Sequence, residues 1–394
     1  MTTEALTGRT GDDVWLRQQE CRLEDLRGLV EVTTEHADLT FADSVVDNVP
    51  VYDCLAIRRF VTSPEDRRAL QAELTGVLLD GPGLAVFRSA FEDHGVVDRA
   101  TRVFNEIIDE QRRTGQGSGD HYAKPGANDR VWNALEKFAL RDPEAFAAYY
   151  ANDLIALVAT AWLGPAYQVT SQVNVVNPGG AAQSPHRDYH LGFLTDDAAE
   201  QFPRHVHRLS PVLTLQGAIA HCDMPVETGP TMYLPYSQRY EAGFLAWRRP
   251  EFSAYFDEHR VQLAMGTGDA IFLSPAVFHA AGHNRSADTK RMVNLLQVSS
   301  AFGRAMEQID RESMSNALYP SLLALRASAG DGTVRNAIAA SAEGYAFPTS
   351  LDEEPPINGL APPSQADVVW RAVEAGWGAD RLATELAAHT RRRS

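Results

Sequence analysis

The sequence contains three His-x-Asp triplets, which are His36–Asp38, His186–Asp188 and His221–Asp223. On a β-strand, residues i and i+2 project from the same face, so such a triplet offers an imidazole and a carboxylate to one ion. A second histidine from a neighbouring strand would complete a facial set of two histidines and one carboxylate, which leaves positions open on Fe(II). Triplets of this kind also arise by chance, so their surroundings must decide between them.

The surroundings favour two of the three triplets. His36–Asp38 lies in an acidic, weakly patterned stretch far from any predicted strand, which indicates an exposed histidine. His221–Asp223 ends a predicted strand, whereas His186–Asp188 follows a turn, Asn177–Gly180, after which a new strand can begin. Spacing alone does not choose between these two triplets, and His279 suits either of them as the source of the third ligand.

The elements that must position these residues change in character along the chain. Residues 1–50 predict a loosely packed arm or edge, and Ser63 is an N-cap signal for a helix that ends at Leu79. Further helices are predicted at 92–114, 143–163, 365–376 and 379–390. Short segments separated by Gly, Pro and Asn turns predict strands at 84–87, 167–176, 212–221, 231–234, 261–265, 270–273 and 292–299. Short strands at this spacing are typical of a jelly roll or barrel, so we expect a mainly β core with flanking helices.

Three blocks of sequence carry a family resemblance. They read VNVVNPGGAAQSPHRDYHLGF, ETGPTMYLPYSQRY and GTGDAIFLSPAVFHAAGHNRSADTKRMVNLLQVS, in that order. Together they resemble the phytanoyl-CoA dioxygenase family of Fe(II)- and 2-oxoglutarate-dependent oxygenases. The resemblance implies a double-stranded β-helix, jelly-roll and cupin-like, with His186, Asp188 and His279 as the metal ligands. It places His221 and Asp223 on the strand leading into the second block, where the family has no ligands.

The resemblance also implies how the cosubstrate 2-oxoglutarate is bound. Arg291 lies 12 residues after His279 and opens a predicted strand, as the cosubstrate arginine of the family does. A planar guanidinium binds both oxygens of a carboxylate at once. Arg285, in the preceding turn, is the alternative. Three further residues are candidate hydrogen-bond donors to the cosubstrate, although ordinary turn or barrel polarity would explain them equally well: Gln183, Thr231 and Asn174.

The residue at position 188 bears on the reaction that the resemblance implies. Related halogenases have a small residue in place of this carboxylate, which leaves room for halide, so Asp188 favours hydroxylation or another oxidation without halide. Desaturation, epoxidation and cyclisation stay open. Trp132 and Arg130, with Tyr122 and Lys124, lie in the helical half, where the substrate-covering segments of the family lie, although core and surface positions would explain them too.

The composition disfavours several classes of partner. The chain has 52 Asp and Glu against 36 Lys and Arg, and a net charge of -16 opposes binding to nucleic acid. The three cysteines show no paired spacing of a disulfide framework or a thiolate zinc site. The N-terminus has no secretory signal pattern, and Asn152 and Asp153 interrupt the apolar stretch 146–163, which therefore predicts a core helix. We expect a cytoplasmic protein with a small-molecule substrate and without nucleic-acid or membrane partners, and the sequence does not predict its oligomeric state.

These observations lead to one expected function and two alternatives. We expect an Fe(II)- and 2-oxoglutarate-dependent dioxygenase that uses O2 to hydroxylate a small-molecule metabolite, with release of succinate and CO2. The expected organisation is one integrated catalytic domain, with a mostly helical region at 1–165, a catalytic β-helix at 166–305 and a helical extension at 306–394. The alternatives are a barrel metalloenzyme, an isomerase or hydrolase that uses His221, Asp223 and His279, and a non-catalytic binding protein on the same scaffold.

Overall fold

The structure is a computed structural model that describes residues 14–115 and 127–393. Residues 1–13 of the predicted arm, and Tyr122 and Lys124, lie outside the described residues. Within these ranges the strands are β1 Ser44–Val46, β2 Val49–Asp53, β3 Leu84–Arg88, β4 Asn128–Val131, β5 Gln168–Val176, β6 Thr214–Ala220, β7 Met232–Leu234, β8 Val261–Gln262, β9 Ala270–Leu273, β10 Phe278–Ala280 and β11 Arg291–Ser299.

The strands form two sheets that face each other. The larger sheet has the order β1-β2-β3-β9-β6-β11-β5-β4, and the smaller has the order β10-β7-β8. Neighbouring strands are antiparallel except for the parallel pair β2 and β3. Ala218 and Val293 of the larger sheet pack in one buried cluster with Tyr233 of the smaller sheet. Two antiparallel sheets packed in this way confirm the predicted jelly-roll core.

Helices cover the outer face of the larger sheet. Some of them come from the N-terminal part of the chain and others from the C-terminal part. Val169 and Leu296 of the sheet share a large apolar cluster with Phe146 and Leu318 of the helices. The helices are α1 Leu23–Val30, α2 Cys54–Phe60, α3 Pro64–Leu79, α4 His94–Thr114, α5 Ala134–Arg141, α6 Pro143–Tyr150, α7 Asp153–Leu163, α8 Asp196–Ala199, α9 Arg204–Val212, α10 Gly243–Ala246, α11 Pro250–His259, α12 Arg311–Ser341, α13 Gln365–Ala375 and α14 Ala379–Arg391.

Local side chains explain where several elements begin and end. Ser63 caps α3 and forms a reciprocal capping box with Asp66, which confirms the predicted start of that helix. The single helix predicted at 143–163 was wrong, because the Asn152 side chain accepts hydrogen bonds from the Leu154 and Ile155 N–H groups and starts a separate helix. The strand predicted at 212–221 begins only at Thr214, because α9 continues to Val212.

The N-terminal arm is packed more tightly than the sequence predicts. Leu16, Leu26 and Val30 are buried against Phe252 and other apolar residues on the outer side of the smaller sheet. Strand β1 forms the edge of the larger sheet. The prediction of a loosely packed arm or edge was therefore right about an edge strand but wrong about loose packing for the described part of 1–50, because spaced apolar residues in α1 bind it to the core.

Among the described helices, no single one is both long enough and apolar enough to cross a membrane. One bent pair, Pro143–Tyr150 with Asp153–Leu163, meets the test when taken together, with an angle of 58° between its helices.

Candidate active site

The two histidines of the predicted site lie side by side because an extended segment pairs with β10. His186 and His279 exchange backbone hydrogen bonds, with N···O distances of 2.9 and 3.1 Å. On either side of this pair, Gln183 N donates to Ala281 O at 2.9 Å and Asp188 N donates to Pro275 O at 3.1 Å. The turn and the following segment therefore hold His186 and Asp188 against the strand that carries His279.

The two imidazoles use the same ring nitrogen toward the backbone, although their ring planes are tilted by 55°. His186 Nδ1 donates to the carbonyl of Ser184 at 2.9 Å, and His279 Nδ1 donates to the carbonyl of Val277 at 2.9 Å. A carbonyl only accepts, so each Nδ1 carries a proton, and Nε2 is the ring nitrogen that offers a lone pair to an ion when the imidazole is neutral. His186 Nε2 lies 3.8 Å from Asp188 Oδ1, and His279 Nε2 lies 3.3 Å from Asp188 Oδ2. Three donor atoms therefore converge on one point.

This donor set fits a divalent metal ion. One ligand atom from each of His186, Asp188 and His279 lies within 4.8 Å of the others. Octahedral coordination with bonds of about 2.1 Å places neighbouring donor atoms about 3 Å apart, and the separations of 3.3 and 3.8 Å found here are somewhat longer. Two imidazoles and one carboxylate on one face suit Fe(II) with open positions for further ligands.

Asp188 is held in its ionised form by its surroundings. Burial alone would raise the pKa of Asp188, but the neighbouring His186 and His279 and the side chain of Gln216 together hold it below its usual range. Gln216 Nε2 donates to Asp188 Oδ2 at 2.5 Å. The carboxylate therefore has a fixed orientation, and an ionised carboxylate is the form that binds a cation.

The residue between the two candidate ligands anchors the whole segment. Arg187 is fully buried and donates to the carbonyls of Ser237 and Tyr240. Its guanidinium also lies 5.0 Å from the ring centroid of Phe244. A Cβ atom at Gly243 would lie 2.0 Å from Arg187 Cζ, so only glycine leaves room for this side chain. Arg187 therefore fixes the backbone on which His186 and Asp188 stand.

A cavity of about 520 Å³ opens beside these residues and runs between the two sheets. All the residues that the sequence predicted for metal and cosubstrate binding line this one cavity: His186, Asp188, His279, Arg291, Gln183, Thr231 and Asn174. The cavity is large enough for a small-molecule ligand beside a cosubstrate.

Arg291 provides a buried positive charge in the cavity wall. Only 2% of the residue is exposed, and burial lowers its pKa to about 10. Arg291 Nη1 donates to the carbonyl of Gly229, while its Nε is buried and has no hydrogen-bond partner among the described residues. No carboxylate of the described residues lies within ion-pair distance of it. A carboxylate of 2-oxoglutarate fits this position, because it would supply the missing charge and acceptor. Arg285, the alternative, is exposed.

The sequence model of the phytanoyl-CoA dioxygenase family (PhyH) matches residues 79–292. The chain belongs to this family. Members of the phytanoyl-CoA dioxygenase family use Fe(II), 2-oxoglutarate and O2, so an Fe(II)- and 2-oxoglutarate-dependent enzyme with the expected cofactors is confirmed, in agreement with the donor set of His186, Asp188 and His279.

Three solved structures resemble this chain at less than 20% sequence identity. SnoN, a non-heme alpha ketoglutarate dependent epimerase from nogalamycin biosynthesis, is 19% identical over 61% of this chain and 82% of that chain, with a TM-score of 0.39. SnoK, a carbocyclase from nogalamycin biosynthesis, is 19% identical over 61% of this chain and 84% of that chain, with a TM-score of 0.39. SnoN in complex with Fe3+, alpha ketoglutarate and nogalamycin RO gives 18% identity, 61% and 85% coverage, and a TM-score of 0.36. No curated protein matches the chain.

The structure does not bring the rival triplet of this family member to the cavity. His221 Nδ1 lies 2.7 Å from the Thr101 hydroxyl, and Nε2 lies 3.0 Å from the Tyr149 hydroxyl. Both partners are on the helices that cover the outer face of the larger sheet. Burial lowers the pKa of His221 to about 3, so this imidazole is neutral. Asp223 Oδ1 instead accepts hydrogen bonds from the backbone and side chain of Thr267.

The structure adds several cavity residues that the sequence analysis missed, and Gln216, Tyr233 and Gln297 are examples on the strands. Tyr233 stands opposite His279 in the β7–β10 pair, and burial raises its pKa to about 12, against the effects of the Thr231 side chain and the Arg291 charge. Alternation along predicted strands could have grouped these residues by face, but it does not tell which face turns towards the cavity.

Proposed function

We propose that this member of the phytanoyl-CoA dioxygenase family hydroxylates a small-molecule substrate, with His186, Asp188 and His279 as its iron ligands. One observation supports the proposal above all. The convergent imidazole and carboxylate donors share a single cavity with Arg291, a buried cation that has no carboxylate partner among the described residues. A metal ion and a dicarboxylate together supply the charges that this cavity lacks.

The residues of the chain have distinct parts in this proposal. When bound, Fe(II) and 2-oxoglutarate supply the activation of O2, with release of succinate and CO2. Arg291 binds the far carboxylate of the cosubstrate through its planar guanidinium. Thr231 and Asn174 donate hydrogen bonds within the same cavity, and Gln183, which pairs with Ala281 beside the histidines, keeps the ligand segment in register.

Hydroxylation is the outcome that the ligand set favours. Asp188 is intact and fixed by Gln216, so a carboxylate occupies the position at which a halide would otherwise bind. SnoN and SnoK are named for epimerisation and carbocyclisation, and neither reaction adds an oxygen atom to the product. A product that is heavier than its substrate by one oxygen atom, with the label of ¹⁸O2, would support hydroxylation. A product of unchanged mass or two hydrogen atoms lighter would contradict it.

We also propose that the described chain works as one integrated catalytic domain. Residues 166–305 provide the candidate iron and cosubstrate ligands. Strands β2, β3 and β4 come from residues 1–165 and are hydrogen-bonded into the same large sheet. Cavity residues also come from outside the central segment, with Arg130 before it and Glu307 after it. A catalytic core cut at 166 and 305 would therefore lose part of its own cavity wall.

The test compares Asp188 with Asp223, the aspartates of the two His-x-Asp triplets that the sequence left as rivals. The purified chain, given Fe(II), 2-oxoglutarate and O2, should release succinate slowly even without substrate. Asp188→Ala should abolish this release and also the rise in melting temperature that Mn(II) produces, because a ligand that binds only the folded chain stabilises it. Asp223→Ala is the matched control and should retain both. Loss of activity in Asp223→Ala with activity retained in Asp188→Ala would refute the assignment.

A further inference from the structure

A second set of polar groups lines the cavity away from the cosubstrate arginine. Along β11, Arg291 and Gln297 lie on the same face and both line the cavity. Six residues of a strand span about 20 Å, so Gln297 belongs to a different part of the cavity from Arg291. Glu307 lies in the chain after β11 and also lines the cavity. This part of the wall is therefore available to a substrate when 2-oxoglutarate occupies the part near Arg291.

Glu307 is a partly buried carboxylate with only one of its oxygens satisfied. Its Oε1 accepts a hydrogen bond from the Asn133 N–H at 2.7 Å. Its Oε2 is buried and has no hydrogen-bond partner among the described residues. Burial raises the pKa of Glu307 above its usual value, although the Asn133 N–H, the Gln172 side chain and the charges of Arg130 and Lys137 act in the opposite direction. The protein therefore compensates the charge of this carboxylate incompletely.

Gln297 adds a second unsatisfied acceptor to the same cavity. The residue is 5% exposed, and its side-chain oxygen has no hydrogen-bond partner among the described residues. A buried amide without a partner costs free energy, and such groups are rare in native proteins. A ligand that brings hydrogen-bond donors would remove this cost at both Gln297 and Glu307.

The remaining wall of this region is mainly apolar. Trp132, Phe193, Leu295 and Met306 line it. Arg130 also lines the cavity, and its guanidinium donates to the Gln172 side chain and lies 4.7 Å from the ring centroid of Trp132. The region thus combines an apolar surface with two acceptors, one of which belongs to a carboxyl group.

We propose that the substrate of the hydroxylase proposed above carries a basic nitrogen, which Glu307 binds as an ammonium group. An ammonium group supplies both a positive charge and several donors, whereas a hydroxyl group supplies one donor and no charge. Gln297 accepts a further hydrogen bond from the polar part of the same substrate, and the apolar walls contact its hydrocarbon frame. The inference rests on the proposed function in one respect, which is that the bound amine is called the substrate. The binding of an amine at Glu307 does not require the oxygenase activity.

Three probes with one hydrocarbon frame test the inference by calorimetry. They are cyclohexylmethylamine, cyclohexylmethanol and cyclohexanecarboxylate, titrated into the full chain loaded with Mn(II) and 2-oxoglutarate. The amine should bind most tightly. Glu307→Gln keeps the acceptor for the Asn133 N–H but removes the charge, and it should weaken amine binding by about tenfold or more while leaving the alcohol unchanged.

A nearby glutamate offers a matched control. Glu136 accepts a hydrogen bond from the Asn133 side chain, as Glu307 does from its backbone, but Glu136 does not line this cavity. Glu136→Gln should therefore leave the binding of all three probes unchanged. Equal or tighter binding of the carboxylate probe, absence of amine binding, or unchanged amine affinity in Glu307→Gln would each overturn the inference.

The test also separates this inference from the proposed function. Succinate release without substrate reports on the iron site and does not require Glu307. A chain that releases succinate but does not prefer the amine overturns only the inference about the substrate. A chain that prefers the amine in calorimetry but never releases succinate supports the ammonium site and overturns the proposed oxygenase activity. If Glu307→Gln folds poorly, the order of affinities of the three probes for the wild-type chain still tests the inference.

Discussion

Replacing Arg291 by glutamine should weaken 2-oxoglutarate binding strongly without destabilising the free protein. Arg291 is almost completely buried, and no carboxylate of the described residues forms an ion pair with it. The isolated protein therefore contains a buried cation whose charge is not compensated, which is an unfavourable state. Glutamine removes that charge, and it also removes the guanidinium that would bind the cosubstrate carboxylate through two donors.

The size of the effect follows from the contacts that are lost. Two hydrogen bonds to a charged group contribute about 1.5 kcal/mol each at the lower end of their range, or about 3 kcal/mol together. This difference corresponds to an increase of about 150-fold in the Kd for 2-oxoglutarate. At a concentration 100 times the wild-type Kd, the cosubstrate stabilises the wild-type chain by about 2.7 kcal/mol but the variant by only about 0.3 kcal/mol.

Calorimetry and thermal unfolding of the Mn(II)-loaded chain measure both quantities. The Kd should rise, the stabilisation by 2-oxoglutarate should almost vanish, and the melting temperature without cosubstrate should not fall. Arg285→Gln is the matched control, because this exposed arginine was the other candidate in the sequence, and it should leave the Kd unchanged. An unchanged Kd in Arg291→Gln, or a large increase in Arg285→Gln, would refute the assignment of the cosubstrate arginine.

Three further substitutions have expected outcomes. Gln216→Leu removes the donor to Asp188 and should weaken Mn(II) binding by about 10- to 100-fold in a metal titration, whereas wild-type affinity would show that the amide does not orient the ligand. Gly243→Ala places a methyl group on the Arg187 guanidinium, so thermal unfolding should show a loss of about 1–3 kcal/mol together with weaker Mn(II) binding. Asn152→Ala removes the cap of α7 and should cost about 1 kcal/mol in the same unfolding assay while Mn(II) binding stays normal, and weakened Mn(II) binding would argue against a purely local role.

The helices and strands that could be predicted from the sequence are those whose ends are marked by nearby residues. The cap at Ser63 and the turn-bounded strands are encoded within a few residues, so their bounds could be predicted nearly correctly. The break between α6 and α7 at Asn152 was missed because an asparagine within an apolar stretch is also compatible with a single continuous helix that tolerates one polar residue. The packing of Leu16 and Leu26 was missed because it depends on the smaller sheet, which is distant in sequence.

The choice between the two His-x-Asp triplets shows why the site needed more than spacing. On β6, Leu215 and Ile219 face the helices, and His221 continues the same alternation beyond the strand end, so its ring meets Thr101 instead of the cavity. Which face of a strand turns inward is decided by tertiary packing. The family resemblance pointed to His186, which the structure places beside His279, because the order of the family's sequence motifs reflects a shared three-dimensional arrangement.

The pairing of Arg187 with Gly243 has a consequence for directed evolution of this enzyme. Any larger residue at 243 collides with the guanidinium, and any shorter residue at 187 leaves the carbonyls of Ser237 and Tyr240 without their donor. Libraries that randomise either position alone will therefore consist mostly of destabilised clones with weakened metal binding. Exchanging positions 187, 237–240 and 243 together as a single cassette from one homologue is the route that keeps the metal-binding segment intact.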